Sequence, residues 1–291
     1  MRKNVQKTMA VIALSSLTIA AFAGCSGNSA EFDSSKEITV ITREEGSGTR
    51  DAFVELTGVL VKEGDTKSDN TRVDAVTVNG TEAVITNVNG NNAAIGYISL
   101  GSLNDTVKAL KIEDVEPTAE NVKNGTYKIS RPFNIAYKGE LSELAKDFVD
   151  FILSSEGQSV VTEEGYVAVS DKAEFSGTKP QGKITVAGSS SVAPVMEKLI
   201  EAYKTVNTGA DIELQTSDSS AGMQAVLSGT CNIGMASREL KGTENELTPV
   251  TIAKDGIAVI VNASNTVESL TMEQVKTIYT NKATTWSDII K

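Results

Sequence analysis

Residues 38–53 read ITVITREEGSGTRDAF. The run ITVI is β-branched and apolar, a short strand, and Phe53, Leu56, Leu60 and Val61 then recur at helical spacing, so a helix is expected over Thr49–Leu60. Ser47, Gly48 and Thr49 therefore stand where a strand passes into a helix. The first turn of a helix has unpaired N–H groups and the positive end of the dipole, which together favour an anion. Gly48 lets backbone approach a ligand, and the hydroxyls of Ser47 and Thr49 donate without bulk. Arg43 adds a planar fork of N–H donors that suits an oxyanion, and Glu45 is placed to hold that guanidinium in one rotamer. Arg50, one place into the helix, is expected to face solvent or Asp51.

The same grammar occurs twice more. ITVAGSSSVAPV (Ile184–Val195) and IELQTSDSSAGM (Ile212–Met223) are each a β-rich strand, a small-residue turn and a helix start. One serine before a helix is an ordinary N-cap. Capping needs one hydroxyl per helix, however, whereas Ser189, Ser190 and Ser191, and then Ser217, Ser219 and Ser220, supply several. The three junctions together point to one shared oxyanion site. NIGMASREL (Asn232–Leu240) is a further short strand and turn, which brings Ser237 and Arg238 into consideration.

Composition narrows the chemistry. The chain has 291 residues, 40% hydrophobic and 22% charged, which is globular. It contains no histidine, so imidazole base catalysis is excluded, and with 2 cysteines neither a disulfide framework nor a Cys/His metal site is indicated. No G-x-x-x-x-G-K-[ST] loop or compact acidic cluster announces nucleotide or Mg²⁺. A net charge of −11 makes nucleic acid a poor partner. The hydroxyls have no base to activate them, so holding an anion without transforming it is the simplest reading: no catalytic residue, no metal, no cofactor.

The N-terminus has the basic residues Arg2, Lys3 and Lys7, an apolar run, and small residues ending at Cys25. That is an export signal over residues 1–24, followed by a polar tether over residues 25–35. Beyond it, strands alternate with helices. AAIGYISL (Ala93–Leu100) reads as a buried strand. RPFNIAYKG (Arg131–Gly139) precedes a helix carrying Leu141, Leu144, Phe148, Phe151 and Ile152 that Gly157 should end or interrupt, and Ser170–Lys183 reads as a linker. The pattern implies an α/β fold of mostly parallel sheets with ligand at the carboxyl ends of strands. Cys231 and Trp286 are expected to be packing residues, and the Asn- and Gly-rich stretch from Asn79 to Asn92 to be turns.

REEGSGTRDAF, VAGSSSVAPVMEKL, QTSDSSAGM and NIGMASREL resemble the phosphate-binding lipoproteins of bacterial high-affinity phosphate ABC transporters, over nearly the whole of residues 38–291. The resemblance implies a two-lobe, periplasmic-binding-protein-like fold (type II) that closes on one dehydrated phosphate and delivers it to a membrane permease and its ATPase. It places the ligand contacts on Arg43, Ser47, Gly48, Thr49, Ser190, Ser191 and Ser219, with Glu45 bracing Arg43. It also makes Cys25 a lipidated residue, with Phe22 where the lipobox usually has Leu, and so implies an anchor on the extracytoplasmic face of the cell membrane. A monomer is expected.

Two departures from the family pattern stand out. The family's aspartate after the third strand, which accepts the proton of phosphate, is replaced in ASREL by Ser237 and Arg238, which leaves Asp218, Glu239 or a backbone carbonyl to take its part and leaves sulfate as an alternative ligand. The order of segments also differs: REEGSGTRD precedes GSSS, as in a circular permutation. That order predicts a discontinuous lobe, residues 36–128 with 262–291, and a continuous lobe, residues 129–261, with RPFNIAYKG and DGIAVIVNA crossing between them. A surface phosphatase is the alternative from another class.

Overall fold

The structure, a computed structural model, describes residues 32–64, 66–171, 173–280 and 284–290. The signal segment and Cys25 lie outside the described residues, as does most of the tether. Among the described residues no helix is long and apolar enough to cross a membrane.

The chain opens with β1 (Thr39–Arg43) and α1 (Gly48–Leu56), then the hairpin β2 (Leu60–Glu63) and β3 (Thr66–Asp69), β4 (Val76–Val78), α2 (Thr81–Asn89) and β5 (Ala94–Ser99). After β6 (Val107–Ala109), β7 (Lys111–Ile112) and α3 (Ala119–Lys123) comes the long β8 (Ser130–Lys138), followed by α4 (Glu143–Ile152) and α5 (Ser155–Glu163). Next are β9 (Gly182–Ser189), α6 (Ala193–Val206), β10 (Ala210–Ser217), α7 (Ser219–Leu227) and β11 (Ile233–Ala236). The 16-residue β12 (Leu247–Asn262), β13 (Ser269–Leu270), α8 (Met272–Tyr279) and α9 (Trp286–Ile289) complete it.

The main sheet runs β10-β9-β11-β8-β12-β5-β1-β4, with β6 on β12. Its flanks are parallel, β10 and β11 on β9 and β4 and β5 on β1, and its centre is antiparallel. β12 joins the halves: it pairs with β8 from Leu247 to Gly256 and with β5 from Ile257 to Val261. Each half has its own core. Phe133, Phe148, Phe151, Leu199, Tyr203 and Ile252 pack in one, and Ile38, Phe53, Tyr97, Val259, Tyr279 and Trp286 in the other. The fold is thus the two-lobe, mixed, mostly parallel α/β architecture expected from the sequence. Residues 257–261, expected with the continuous lobe, instead pack in the core of β1 and β5, because the chain changes partners within β12 and not after it.

Two local expectations also change. α1 stops at Leu56, since Thr57 caps it and Gly58 takes φ +72°, so Leu60 and Val61 lie in β2. α4 ends at Ile152 with Leu153 as its C-cap, and Gly157 sits inside α5, where a Cβ would lie 2.2 Å from the Phe151 carbonyl oxygen; that glycine serves the close packing of two helices.

Parallel registry is what positions the site. β9 and β10 end in step, Ser189 opposite Ser217, and Arg43 at the end of β1 lies opposite Val78 at the end of β4. Each strand then hands over to a helix at the same edge of its half-sheet. Trp286 fixes the C-terminal turn against that scaffold: it is fully buried and its indole N–H donates to the Ala93 carbonyl at 3.0 Å. Trp286→Ala should therefore cost about 3–5 kcal/mol in urea unfolding; wild-type stability would place the indole at the surface.

Candidate functional site

Arg43 is almost wholly buried at the end of β1. Its Nε and Nη2 donate to the two carboxylate oxygens of Glu44, each at 2.7 Å, and Nη2 also donates to Ser190 Oγ at 3.0 Å. Nη1 is buried with no hydrogen-bond partner. A buried guanidinium with an idle N–H pair is costly unless an acceptor comes to it. Burial would raise the Glu44 carboxyl, but the Arg43 hydrogen bonds and charge, aided by the Gly80 N–H at 3.3 Å, hold it below the usual carboxylate range. The brace is thus Glu44 and not Glu45, which is exposed. The Glu44 N–H is tied to the Val78 carbonyl at 3.1 Å, which keeps its side chain beside the guanidinium, while Glu45 stands at the tip of a turn made by Gly46 at φ +91°. The backbone of Arg43 is fixed from behind, its N–H donating to Tyr97 Oη at 3.2 Å.

The hydroxyls expected at the site come together. Ser47 caps α1, accepting the Arg50 N–H at 3.3 Å. Thr49 and Ser191 share a 2.7 Å hydrogen bond, Ser189 donates to Ser237 at 2.9 Å, and Ser237 and Ser219 are 3.4 Å apart. The Ser237 N–H also donates to Ser219 Oγ at 3.1 Å. Ser47, Thr49, Ser189, Ser191, Ser219 and Ser237 are all buried, and Ser190 is half-buried against Arg43. Gly48 is the point of closest approach: a Cβ there would lie 2.4 Å from Ser219 Oγ and 2.8 Å from Ser237 Oγ. The start of α1 is therefore pressed against the turns that follow β10 and β11.

Helix capping does not account for Ser190, Ser191 or Ser219. The N-cap of α6 is Val192, with no side-chain cap, and α7 is capped by Asp218, whose Oδ1 accepts the Ala221 N–H at 2.8 Å. The hydroxyls of Ser190, Ser191 and Ser219 are left for other use.

Arg238 is placed differently. Although buried, it gives Nη1 and Nη2 to Glu244 at 2.8 Å each, Nη2 also to Ser220 Oγ at 3.2 Å, and Nη1 to the Glu239 carbonyl at 2.9 Å. Its Nε lies 3.1 Å from Asp51 Oδ2, which Lys241 also approaches at 2.8 Å. The guanidinium is spent on carboxylates and joins α1 to the turn after β11. Neither side chain considered as a proton acceptor faces the hydroxyls freely, since Asp218 caps α7 and Glu239 is exposed. Arg50 pairs with Asp69 at 2.9 Å and donates to the Arg43 carbonyl at 3.0 Å; it turns back along its own half and away from Asp51.

One element was missed. Thr81 is buried at the start of α2, its Oγ1 3.4 Å from Ser191 Oγ, and α2 has Gly80 as N-cap with no side-chain cap. VTVNGTEAV (Val76–Val84) carries the same strand, glycine, hydroxyl and helix order as the other three junctions, so the signal was present within a stretch read only as turns.

The assembly offers hydroxyls, helix starts and one guanidinium edge. Its chemistry is that of surrounding a tetrahedral oxyanion. Comparison with known proteins agrees in kind. A family pattern described as "PBP superfamily domain" matches residues 13–156 and 173–290. The chain is 47% identical to "Phosphate-binding protein PstS 2" of Streptococcus agalactiae serotype V over 291 residues, 98% of this chain and 99% of the relative. It is 46% identical to the protein of the same name from Streptococcus pneumoniae serotype 4 over 284 residues, 97% of each. A crystal structure described as a phosphate ABC transporter, phosphate-binding protein from S. pneumoniae TIGR4 superposes with a TM-score of 0.70 at 47% identity, covering 87% of this chain and 99% of that one. Similarity of that extent, over a chain whose strand ends bring together a cluster of hydroxyls and a buried arginine, means that the protein belongs to the PBP superfamily and, within it, to the PstS phosphate-binding proteins.

Proposed function

We propose that the chain captures inorganic phosphate outside the cytoplasm and delivers it to an ABC permease and its ATPase. It is a carrier and not an enzyme. The observation that carries the reading is the buried Arg43, with Nη1 unpartnered and Nη2 on Ser190, beside a set of hydroxyls that links four helix starts. In this reading Arg43, Ser47, Gly48, Thr49, Ser190, Ser191, Ser219 and Ser237 surround the anion. Arg238 and Asp218 support the walls of the site, and Glu44 takes the bracing role.

The finer parts of the reading rest on the sequence. Export followed by acylation of Cys25 tethers the protein to the membrane with the chains that stable anchoring needs. The order of the junctions supports a circular permutation, with residues 170–183 joining the former ends and two lobes meeting across β12. Phosphate touching both lobes would then favour closure over opening. Sulfate remains the second reading, favoured by one observation: the nearby carboxylates Glu44, Asp51, Asp218 and Glu244 are engaged with cations or backbone N–H groups, which leaves hydroxyls and carbonyls to accept the proton of phosphate.

Calorimetry separates these readings. Arg43→Ala should weaken phosphate binding by about 2–5 kcal/mol, the cost of removing a buried charged donor; retained affinity would remove Arg43 from the site. Sulfate binding as tightly as phosphate across pH 5 to 9 would displace the phosphate assignment in favour of a general oxyanion receptor. Asp51 tests closure, because its carboxylate on α1 meets Arg238 and Lys241 on the other half. Asp51→Asn should speed phosphate release and raise Kd by about threefold to tenfold, with less salt dependence than wild type. Identical release rates would mean that these ion pairs do not hold the halves together.

A further inference from the structure

Arg131 and Asp255 form an ion pair at the centre of the molecule that the reading above leaves unused. Both are buried, and Arg131 Nε and Nη2 donate to Asp255 Oδ2 at 3.3 and 3.1 Å. Arg131 is the second residue of β8, and Asp255 lies opposite it on β12, one residue before Gly256, where that strand leaves β8. A pair so deep is a poor source of stability, because desolvation offsets the attraction. Burial pushes the Asp255 carboxyl up to about 6 in spite of Arg131, which is the mark of that cost.

What the pair provides is a held position. Arg131 Nη1, free of Asp255, donates to the carbonyl of Ser237 at 3.0 Å. Three residues along the same strand, the buried Asn134 donates through Nδ2 to the next carbonyl, that of Arg238, at 3.0 Å, and its Oδ1 accepts the Thr251 hydroxyl of β12 at 2.8 Å. Two successive carbonyls of the turn after β11 are thus pinned by side chains of β8, each side chain itself fixed from β12. That turn carries the Ser237 hydroxyl and N–H that meet Ser189 and Ser219.

We propose that Arg131 and Asn134 are positioning residues for anion binding, which fix the Ser237–Arg238 turn to the two central strands so that Ser237 faces the ligand. Asp255 serves to hold Arg131 in the rotamer that reaches the turn. The inference rests on the phosphate-binding reading, and the two can fail separately.

The test is the double variant Arg131→Met/Asp255→Leu. Exchanging a buried ion pair for apolar side chains of similar size tends to preserve stability, and it leaves the net charge near the site unchanged. A pair with a purely structural role predicts normal phosphate binding by a folded protein. A positioning role predicts an apo thermal midpoint close to wild type and a phosphate Kd raised by at least about tenfold, since a carbonyl anchor made by a charged donor is gone. Asn134→Ala, a milder change, should raise Kd in the same direction and also serves if the double variant does not fold. Wild-type Kd in the folded double variant, or in Asn134→Ala when only that folds, would overturn the proposal. If wild-type protein itself shows no phosphate binding, the underlying reading fails instead.

Discussion

The structure depends on keeping one guanidinium out of water with part of it unanswered. Arg43 is buried at the end of a strand, its Nε and Nη2 satisfied by Glu44 and Ser190, and its third donor group, Nη1, idle. Such an arrangement is unfavourable by itself and is tolerable only where the surrounding fold over-determines it. Here the Tyr97 hydroxyl holds the Arg43 N–H, and Tyr97 stacks on Phe53 of α1 at 3.9 Å between ring centroids. The core that orders the first lobe therefore also orders the arginine. Removing water from the site strengthens each charge-assisted bond it makes.

The carboxylates explain how an acidic chain can hold an anion. With a net charge of −11, the long-range field opposes the ligand, so attraction must come from short-range donors. Glu44 lies directly against Arg43, and Asp51 and Glu244 against Arg238. Each is turned onto a cation or a backbone N–H and so is neutralised locally. The acidic residues act as braces, and in the proposed site the ligand side is left to neutral hydroxyls and helix starts, whose donors carry no desolvation penalty as large as that of an ion.

Much of this was legible in the sequence because it was written three times. Strand, small-residue turn and helix start are short-range features, and their repetition identified the contributing loops before any contact was known. Arg238 was not legible: its partners Asp51 on α1 and Glu244 before β12 are far apart in sequence, and their meeting is a tertiary event. Glu45 was expected to brace Arg43 and Glu44 does so, for a similar reason, since which neighbour reaches the guanidinium depends on β4 capturing the Glu44 N–H. Thr81 was readable in principle, but VTVNGTEAV lacks the serine run that made the other junctions conspicuous.

The central strands carry the remaining burden. β12 belongs to both cores, so a change in the angle between halves must be absorbed near Gly256 and Ile257, where it exchanges β8 for β5. The Ser237 carbonyl is bound to Arg131 within a few residues of that exchange. In the proposed reading, closure of the halves and placement of the Ser237 hydroxyl would be mechanically coupled, because the central strands also hold the turn. A site assembled from separate loops gains its geometry from such ties, because hydroxyls on short turns have too many rotamers and backbone states to meet around one ion unless something rigid fixes where each turn begins.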